Sequence, residues 1–76
     1  MNKQRRKRIA IIRTILVQCQ TDLDALREEE EEYLGTIPEA FQNGEKAEKA
    51  EAAIDCLEAA RDTLDDAISN LEAAAE

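Results

Sequence analysis

The strongest chemical pattern in this sequence is a row of carboxylates at helical spacing. The row consists of Glu48, Glu51, Asp55, Glu58, Asp62, Asp65, Glu72 and Glu76, with Ser69 at one intervening position. Steps of three and four residues place these groups on one face of an α-helix, over roughly 42 Å at ~1.5 Å per residue. Duplex DNA spaces its phosphates by ~3.4 Å along each strand, so the row would suit a groove lined by Lys and Arg. The alternative is a solvated face of a helical bundle.

A second acidic group precedes the only proline. Together with the acidic row, it forms the candidate partner-binding face. Its members are Glu28, Glu29, Glu31 and Glu32. The chain has no His, and the residues after Asp22 do not supply the ligands of a calcium loop. A cysteine nucleophile would also lack a neighbouring base. We therefore expect neither an enzyme nor a bound metal or cofactor.

The first thirteen residues have the opposite charge. They contain six basic and no acidic side chains, a net charge of +6, whereas residues 14–76 carry four bases and eighteen acids, a net charge of -14. The candidate basic patch consists of Lys3, Arg5, Arg6, Lys7 and Arg8. Such a patch can contact nucleic acid, although the acidic remainder would repel phosphate. A membrane-surface helix would be basic throughout its polar face, so we expect no membrane binding.

The two cysteines lie within apolar helical patterns rather than in a metal-binding spacing. Cys19 and Cys56 are too few for a zinc site. They are interpreted as thiols in a reducing compartment, with a disulfide as the alternative. This interpretation predicts a cytoplasmic protein.

Two long helices are needed to position these groups. The sequence predicts one domain, residues 1–76, with helix 1 at about residues 3–34, a loop at 35–44 and helix 2 at about 45–75. Asn2 is a suitable cap for helix 1, and Gly35 is predicted to end it in a left-handed conformation. Thr36 and Glu39 form a potential capping box, and Ile37 and Phe41 are expected to fold back over the loop end of the hairpin.

Apolar residues recur at intervals of three and four in both halves of the chain. The predicted seam of helix 1 consists of Ile9, Ile12, Leu16, Cys19, Leu23, Leu26 and Tyr33, and that of helix 2 of Ala47, Ala50, Ile54, Leu57, Leu64, Ile68, Leu71 and Ala75. This pattern predicts an all-α, antiparallel helical hairpin of the coiled-coil type. Arg61 interrupts the second seam and is expected near Gln18 and Cys19 of helix 1.

Self-association is expected because the core of a single hairpin is thin. Large side chains contribute roughly 1.5–3 kcal/mol each when fully buried, against roughly 1.5 kcal/mol of ordering entropy for every residue fixed. The first half of helix 1 is more apolar than one neighbouring helix requires. The candidate dimer interface consists of Ile11, Ile12, Ile15 and Leu16. We expect a homodimer that forms a four-helix bundle.

The opening MNKQRRKRI, the acidic run before Tyr33, the IPEAF turn and the heptads AEAAIDCLEAARDTLDDAI resemble a known group of proteins. These are small acidic two-helix proteins of phages, prophages and conjugative elements of Gram-positive bacteria. In architecture alone the chain also resembles a plasmid RNA-binding hairpin that dimerises, although its acidic row has the wrong sign for RNA. The mobile-element resemblance implies an anti-CRISPR or anti-restriction type of protein.

Three functional hypotheses follow from these patterns. The first is a protein-interaction or inhibitory module in the bacterial host cytoplasm, with acidic faces that bind a basic host protein such as a nuclease or DNA-binding protein. The second is a nucleic-acid-associated regulator that acts through the basic patch. The third is a structural coiled-coil assembly protein. None of them involves a small-molecule substrate.

Overall fold

The computed structural model describes all residues from 1 to 76 and contains two long α-helices. Helix α1 comprises Lys3–Thr36, helix α2 comprises Glu45–Ala75, and a 3-10 turn at Glu39–Phe41 lies between them. The helices pack side by side as an antiparallel hairpin, with Cα extents of 59 × 14 × 12 Å. The predicted all-α helical hairpin is confirmed.

The two ends of α1 are fixed by different local interactions. At its start, the backbone N–H of Arg5 donates to Oδ1 of Asn2 over 2.8 Å, which is the predicted cap. At its end, the prediction for Gly35 is wrong, because Gly35 is helical and no glycine has a positive φ. The helix instead ends before Ile37, which is extended with ψ 125°. Pro38 follows, and a residue before proline disfavours the helical conformation.

The loop also differs from the prediction in its hydrogen bonds. The hydroxyl of Thr36 donates back to the carbonyl of Tyr33 over 2.7 Å, and no side chain caps the 3-10 turn, so the capping box does not form. The side-chain amide of Gln42 donates to the carbonyls of Leu34 and Ile37, over 3.3 and 2.6 Å. Gln42 therefore binds the carbonyl of Ile37 just beyond α1 and adds a second bond to the carbonyl of Leu34, which also accepts from the N–H of Ile37.

The predicted apolar lid is formed only in part. Ile37 is half-buried at the loop end of the hairpin, whereas Phe41 is 65% exposed. The prediction for Phe41 is therefore wrong, since the short 3-10 turn holds it outside the space between the helices.

Helix α2 packs through its predicted seam. Its buried residues are Ala47, Ala50 and Ile68, and the other apolar seam positions are half-buried. The two alanines lie in the first turns after the loop, where their small side chains allow α1 to approach closely. The negative side chains of Glu45 and Glu48 in the first turn complement the positive end of the helix dipole.

Helix α1 packs through a face that differs from its predicted seam. Ile12, Leu26 and Tyr33 are between 44 and 50% exposed. The half-buried positions are Ile9, Leu16, Cys19, Gln20, Leu23, Asp24, Arg27, Glu30 and Leu34. We call this set the contact seam of α1. The prediction is confirmed for Ile9, Leu16, Cys19 and Leu23 and is wrong for the other three positions, because it followed apolar periodicity whereas the contact seam also contains polar groups such as Gln20 and Arg27.

Candidate interaction surface

Polar bonds between the helices lie along one side of the hairpin. Nε of Arg13 binds a carboxylate oxygen of Glu72 over 2.8 Å, and the side-chain amide of Gln20 donates to Asp65. The same amide donates to the backbone carbonyl of Arg61 over 3.2 Å. Since Glu72 and Asp65 belong to the acidic row of α2, this row lies beside α1 rather than on the outermost face of the hairpin.

The guanidinium of Arg61 is the centre of the largest of these polar clusters. Its Nε lies 2.8 Å from Asp24 of α1, and its Nη1 lies 3.4 Å from Asp65. The predicted position of Arg61 beside Gln18 and Cys19 is therefore wrong by about one turn. The hydrogen bond to Asp24 and the charges of Asp24 and Asp65 raise the pKa of Arg61 above its ordinary value. The raised pKa stabilises the fold as long as Asp24 and Asp65 are ionised, and on the alkaline side this contribution is lost only in strongly alkaline solution.

The acidic row divides into two parts with different surroundings. In the part near the chain termini, Asp62 and Asp65 lie within 4 Å of Arg61, and Glu72 is paired with Arg13. In the part near the loop, the carboxylates are exposed and form no ion pair with the protein. These free carboxylates belong to Glu48, Glu51, Asp55 and Glu58.

The acidic run of α1 adds further free charges at the same end. Glu28, Glu29 and Glu32 are exposed without an ion pair, whereas Glu31 binds Arg27 over 2.8 Å. The hydrogen bond and charge of Glu31 raise the pKa of Arg27, and the charges of Asp24 and Glu58 add to the effect. Because Arg27 responds to both Glu31 and Glu58, the acidic groups of the two helices lie close together.

The loop half of the hairpin is consequently far more acidic than the other half. Residues 22–58 contain thirteen acidic and three basic side chains, a net charge of -10, whereas the remaining residues total +2. One of the three bases, Lys49, is paired with Glu45 over 3.0 Å, and Arg27 is paired with Glu31. The net charge of -8 is therefore concentrated in one half of a 59 Å rod.

The basic patch lies at the opposite end and is only partly used within the fold. Nε of Arg6 donates to the backbone carbonyl of Ala75 over 2.8 Å and so binds the negative end of α2. The other four members are exposed and form no ion pair: Lys3, Arg5, Lys7 and Arg8. Arg5 and Arg8 line a shallow groove together with Ile9 and Ile12.

The candidate dimer interface is also divided by the fold. Ile11, Ile12 and Ile15 are 62, 46 and 57% exposed. Leu16, in contrast, is half-buried in the contact seam against α2. The three isoleucines form an apolar surface that the single hairpin leaves uncovered.

The remaining candidate groups are separated from one another. Cys19 and Cys56 are both free thiols, the first half-buried and the second exposed. No three acidic or cysteine side chains converge in a geometry that could hold a metal ion. An open groove of about 630 Å³ lies at the loop end beside Tyr33, Pro38 and Phe41, and the sequence patterns did not indicate it.

Two groups that organise this surface were not predicted. Gln20 and Asp24 bond to α2 across the contact seam, and they lie one helical turn apart on the same face of α1. A signal for them was present, because an arginine within an apolar seam needs an acidic partner on the facing helix.

Comparisons with known proteins leave the chain without an assigned family. No protein-family model matches it, and neither a curated protein nor a solved structure does so. Neither helix combines the length and apolar composition required to cross a membrane.

Proposed function

We propose that this chain is a non-catalytic interaction or inhibitory module whose acidic loop half binds a basic surface of another macromolecule. The observation that carries the proposal is a set of exposed carboxylates, drawn from the acidic run of α1 and the acidic row of α2, that form no ion pair in that half. The set consists of Glu28, Glu29, Glu32, Glu48, Glu51, Asp55 and Glu58. We call these residues the acidic surface.

The acidic surface is distinguished by its lack of a role in the hairpin itself. Farther along the same row, carboxylates bond to Arg13, Gln20 and Arg61 and help to hold the helices together. The carboxylates of the acidic surface make no such bond and repel one another. A partner lined by Lys or Arg would relieve this repulsion, and the concentrated charge would accelerate its association at low ionic strength.

The spacing of the charges favours a nucleic-acid-binding protein as the partner. On α2 the carboxylates recur about every 5 Å along the helix, given a rise of ~1.5 Å per residue, which is comparable with the ~3.4 Å phosphate spacing of one DNA strand. We therefore propose a host nuclease or DNA-binding protein in the bacterial cytoplasm as the partner. A phage-encoded nucleic-acid mimic of the anti-CRISPR or anti-restriction type would act in this way, by occupying the channel that the nucleic acid needs.

The test is affinity capture from a Gram-positive bacterial lysate with a charge-reversed variant. We expect the chain to retain a basic protein that duplex DNA displaces, and the Glu51→Lys, Asp55→Lys, Glu58→Lys variant to lose it. Glu48 can be added to the set, whereas Asp62 is kept because it lies near Arg61. The captured protein is identified by its mass, and variant helicity is checked by circular dichroism.

A matched control keeps the interpretation specific to position. Asp66 and Glu76 are exposed carboxylates outside the loop half, and neither forms an ion pair. The Asp66→Lys, Glu76→Lys variant should retain the partner, whereas Asp55→Lys, Glu58→Lys should weaken the complex. Equal recovery with both double variants, or a captured protein that DNA does not displace, would contradict the proposal.

A second candidate function rests on the basic patch. Four of its cations are exposed and unpaired, so they are available to phosphate groups. Under this alternative the chain is a nucleic-acid-associated regulator. Gel-shift binding to duplex DNA or RNA should then be lost with Arg5→Glu and Arg8→Glu and should persist after reversal of the acidic surface. Arg6 is left unchanged because it binds Ala75.

A further inference from the structure

A second row at heptad spacing runs along α1 beside the contact seam. Its positions alternate in steps of three and four, and we call the row the outer seam. It consists of Arg5, Arg8, Ile12, Ile15, Cys19, Asp22, Leu26, Glu29 and Tyr33. All of these except Cys19 are exposed, although Ile12, Ile15, Leu26 and Tyr33 are large apolar or aromatic side chains. This regular spacing is the pattern through which a helix packs against another helix.

The outer seam lies on the side of the hairpin opposite the acidic row. Some positions of α1 face the acidic row. Ile12, Cys19 and Leu26 each lie one residue before such a position, and one residue corresponds to a rotation of about 100° around the helix. On α2, small residues likewise lie one residue before seam positions, at Ala53, Ala60, Ala67 and Ala74. In an antiparallel pair of helices, the outer seam of α1 and this row of alanines on α2 lie on the same side of the hairpin. That side therefore combines a ridge of large apolar groups with a shallow row of alanines.

The two ends of the outer seam carry opposite charges that the single chain leaves unpaired. Arg5 and Arg8 form no ion pair, nor does Glu29 at the other end or Glu30, which lies next to it in the contact seam. An antiparallel copy would place the arginines of each chain against the glutamates of the other at both ends. A parallel copy of the helix would place like charges together. The distribution of charge thus specifies both the occupant and its direction.

We infer that the outer seam binds a second copy of this chain in an antiparallel arrangement, with the two-fold axis near Cys19. Cys19 is the central position of the seam, midway between Arg5 and Tyr33. The hairpins then lie with the loop of one beside the termini of the other and form a four-helix bundle. The Cα extents of 59 and 14 Å give the long face a projected area of roughly 800 Å², large enough to hold an interface of the standard size, in which each partner buries about 800 Å².

This dimer leaves the acidic row on its outside and covers only Glu29 of the acidic surface, so the inference does not depend on the proposed partner binding. It also changes the predicted interface in a specific way. Ile12 and Ile15 remain part of it, Ile11 lies off the outer seam, Leu16 belongs to the contact seam, and Leu26 and Tyr33 are added. The interface accordingly runs along the whole of α1 rather than its first half.

A charge-swap experiment tests the antiparallel direction. The Arg5→Glu, Arg8→Glu variant has acidic groups at both ends of its outer seam, and the Glu29→Arg variant has basic groups at both ends. Sedimentation equilibrium should show self-association of each variant weakened on the order of 10-fold or more, because every reversed pair repels. An equimolar mixture should recover the dimer as a heterodimer.

The control for this experiment reverses two charges in the same turns of α1, on the face opposite the outer seam. Lys3→Glu, Lys7→Glu changes the net charge equally but lies off the outer seam, and it should dimerise within about 3-fold of the unmodified chain. A mixture of the two swap variants that associates no better than either alone would overturn the antiparallel arrangement. A monomeric unmodified chain would overturn the inference as a whole.

Cross-linking tests the position of the two-fold axis. The chain with Cys56→Ser retains Cys19 and should give a covalent dimer with a short bis-maleimide on a denaturing gel. The chain with Cys19→Ser should give little. Gln20 bonds to residues 61 and 65 of α2, so Cys56 lies about 10 Å nearer the loop than the part of α2 that faces Cys19. With the two-fold axis near Cys19, the Cys56 side chains of the two chains are therefore about 20 Å apart. Cross-linking through Cys56 in place of Cys19 would overturn the assigned axis.

Discussion

The two helices of this hairpin share one interface but bury very different parts of themselves. All three buried residues, Ala47, Ala50 and Ile68, belong to α2, whereas α1 has none. Most of the exposed large apolar side chains belong to α1, among them Ile11, Ile15 and Leu26. A helix with one apolar seam is satisfied by one neighbour, as α2 is. Helix α1 has apolar groups on two faces, and one neighbour covers only one of them.

The energies indicate why this difference matters. An exposed ion pair such as Arg13–Glu72 contributes roughly 0.2–1 kcal/mol. A large apolar side chain contributes roughly 1.5–3 kcal/mol when it is fully buried, and about half of that is forfeited at a position such as Leu26 that remains 50% exposed. A hairpin that functioned alone would gain more by turning Leu26 inward. The observed arrangement is favourable if a second chain covers the outer seam.

The largest expected effect comes from truncation at the buried position of α2. Ile68→Ala should lower the free energy of unfolding by about 2–4 kcal/mol, because Ile68 is only 8% exposed and truncation removes its apolar contacts with the facing helix. The measurement is urea denaturation followed by circular dichroism. Ile11→Ala, at a position that is 62% exposed and off both seams, should lower it by less than about 1 kcal/mol. An equal loss of unfolding free energy in the two variants would contradict the difference in burial between α1 and α2.

A smaller effect is expected from the polar side of the interface. Arg61→Gln keeps a polar side chain but shortens it and removes the charge that Asp24 and Asp65 share. The thermal midpoint should fall at low salt, and the difference from the unmodified chain should shrink at high salt because the pairs are partly exposed. Between pH 6 and 10 the difference should stay constant, since the raised pKa keeps Arg61 charged. A salt-independent loss would contradict this account.

The smallest effect concerns the loop end, where α1 stops. Gly35→Ala should raise the free energy of unfolding by about 0.4–1 kcal/mol, because Gly35 is helical and an added Cβ has no atom within 4 Å. Gly44→Ala is the matched control. A Cβ at Gly44 would lie 3.1 Å from the carbonyl oxygen of Phe41, so this change should not stabilise the protein. Destabilisation by Gly35→Ala would mean that α1 ends at the glycine after all.

The sequence predicted some elements better than others for identifiable physical reasons. The bounds and seam of α2 follow from apolar groups that recur on one face, so periodicity alone was sufficient. In α1 the same method included Leu26 and Tyr33 in the seam, because it could not recognise that Gln20 and Arg27 face the partner helix. The end of α1 was assigned to Gly35, although Pro38 was the stronger signal.

The candidate site was predictable as a pattern but not as a set of free charges. The spacing of the carboxylates on α2 placed them on one face, and the structure places them there, exposed. Which of them are unpaired depends on where Arg13, Gln20 and Arg61 reach across the interface. That depends on the rotation of α1, which apolar periodicity did not determine.

Sedimentation equilibrium of the unmodified chain and of Ile15→Glu tests most directly whether α1 has a face for a second chain. The unmodified chain, of mass 8.5 kDa, should sediment at micromolar concentration with twice that mass. Ile15→Glu should sediment as a monomer or lose its helicity, since Ile15 lies near the centre of the outer seam. A monomeric unmodified chain, or an Ile15→Glu variant that dimerises equally well, would contradict the account.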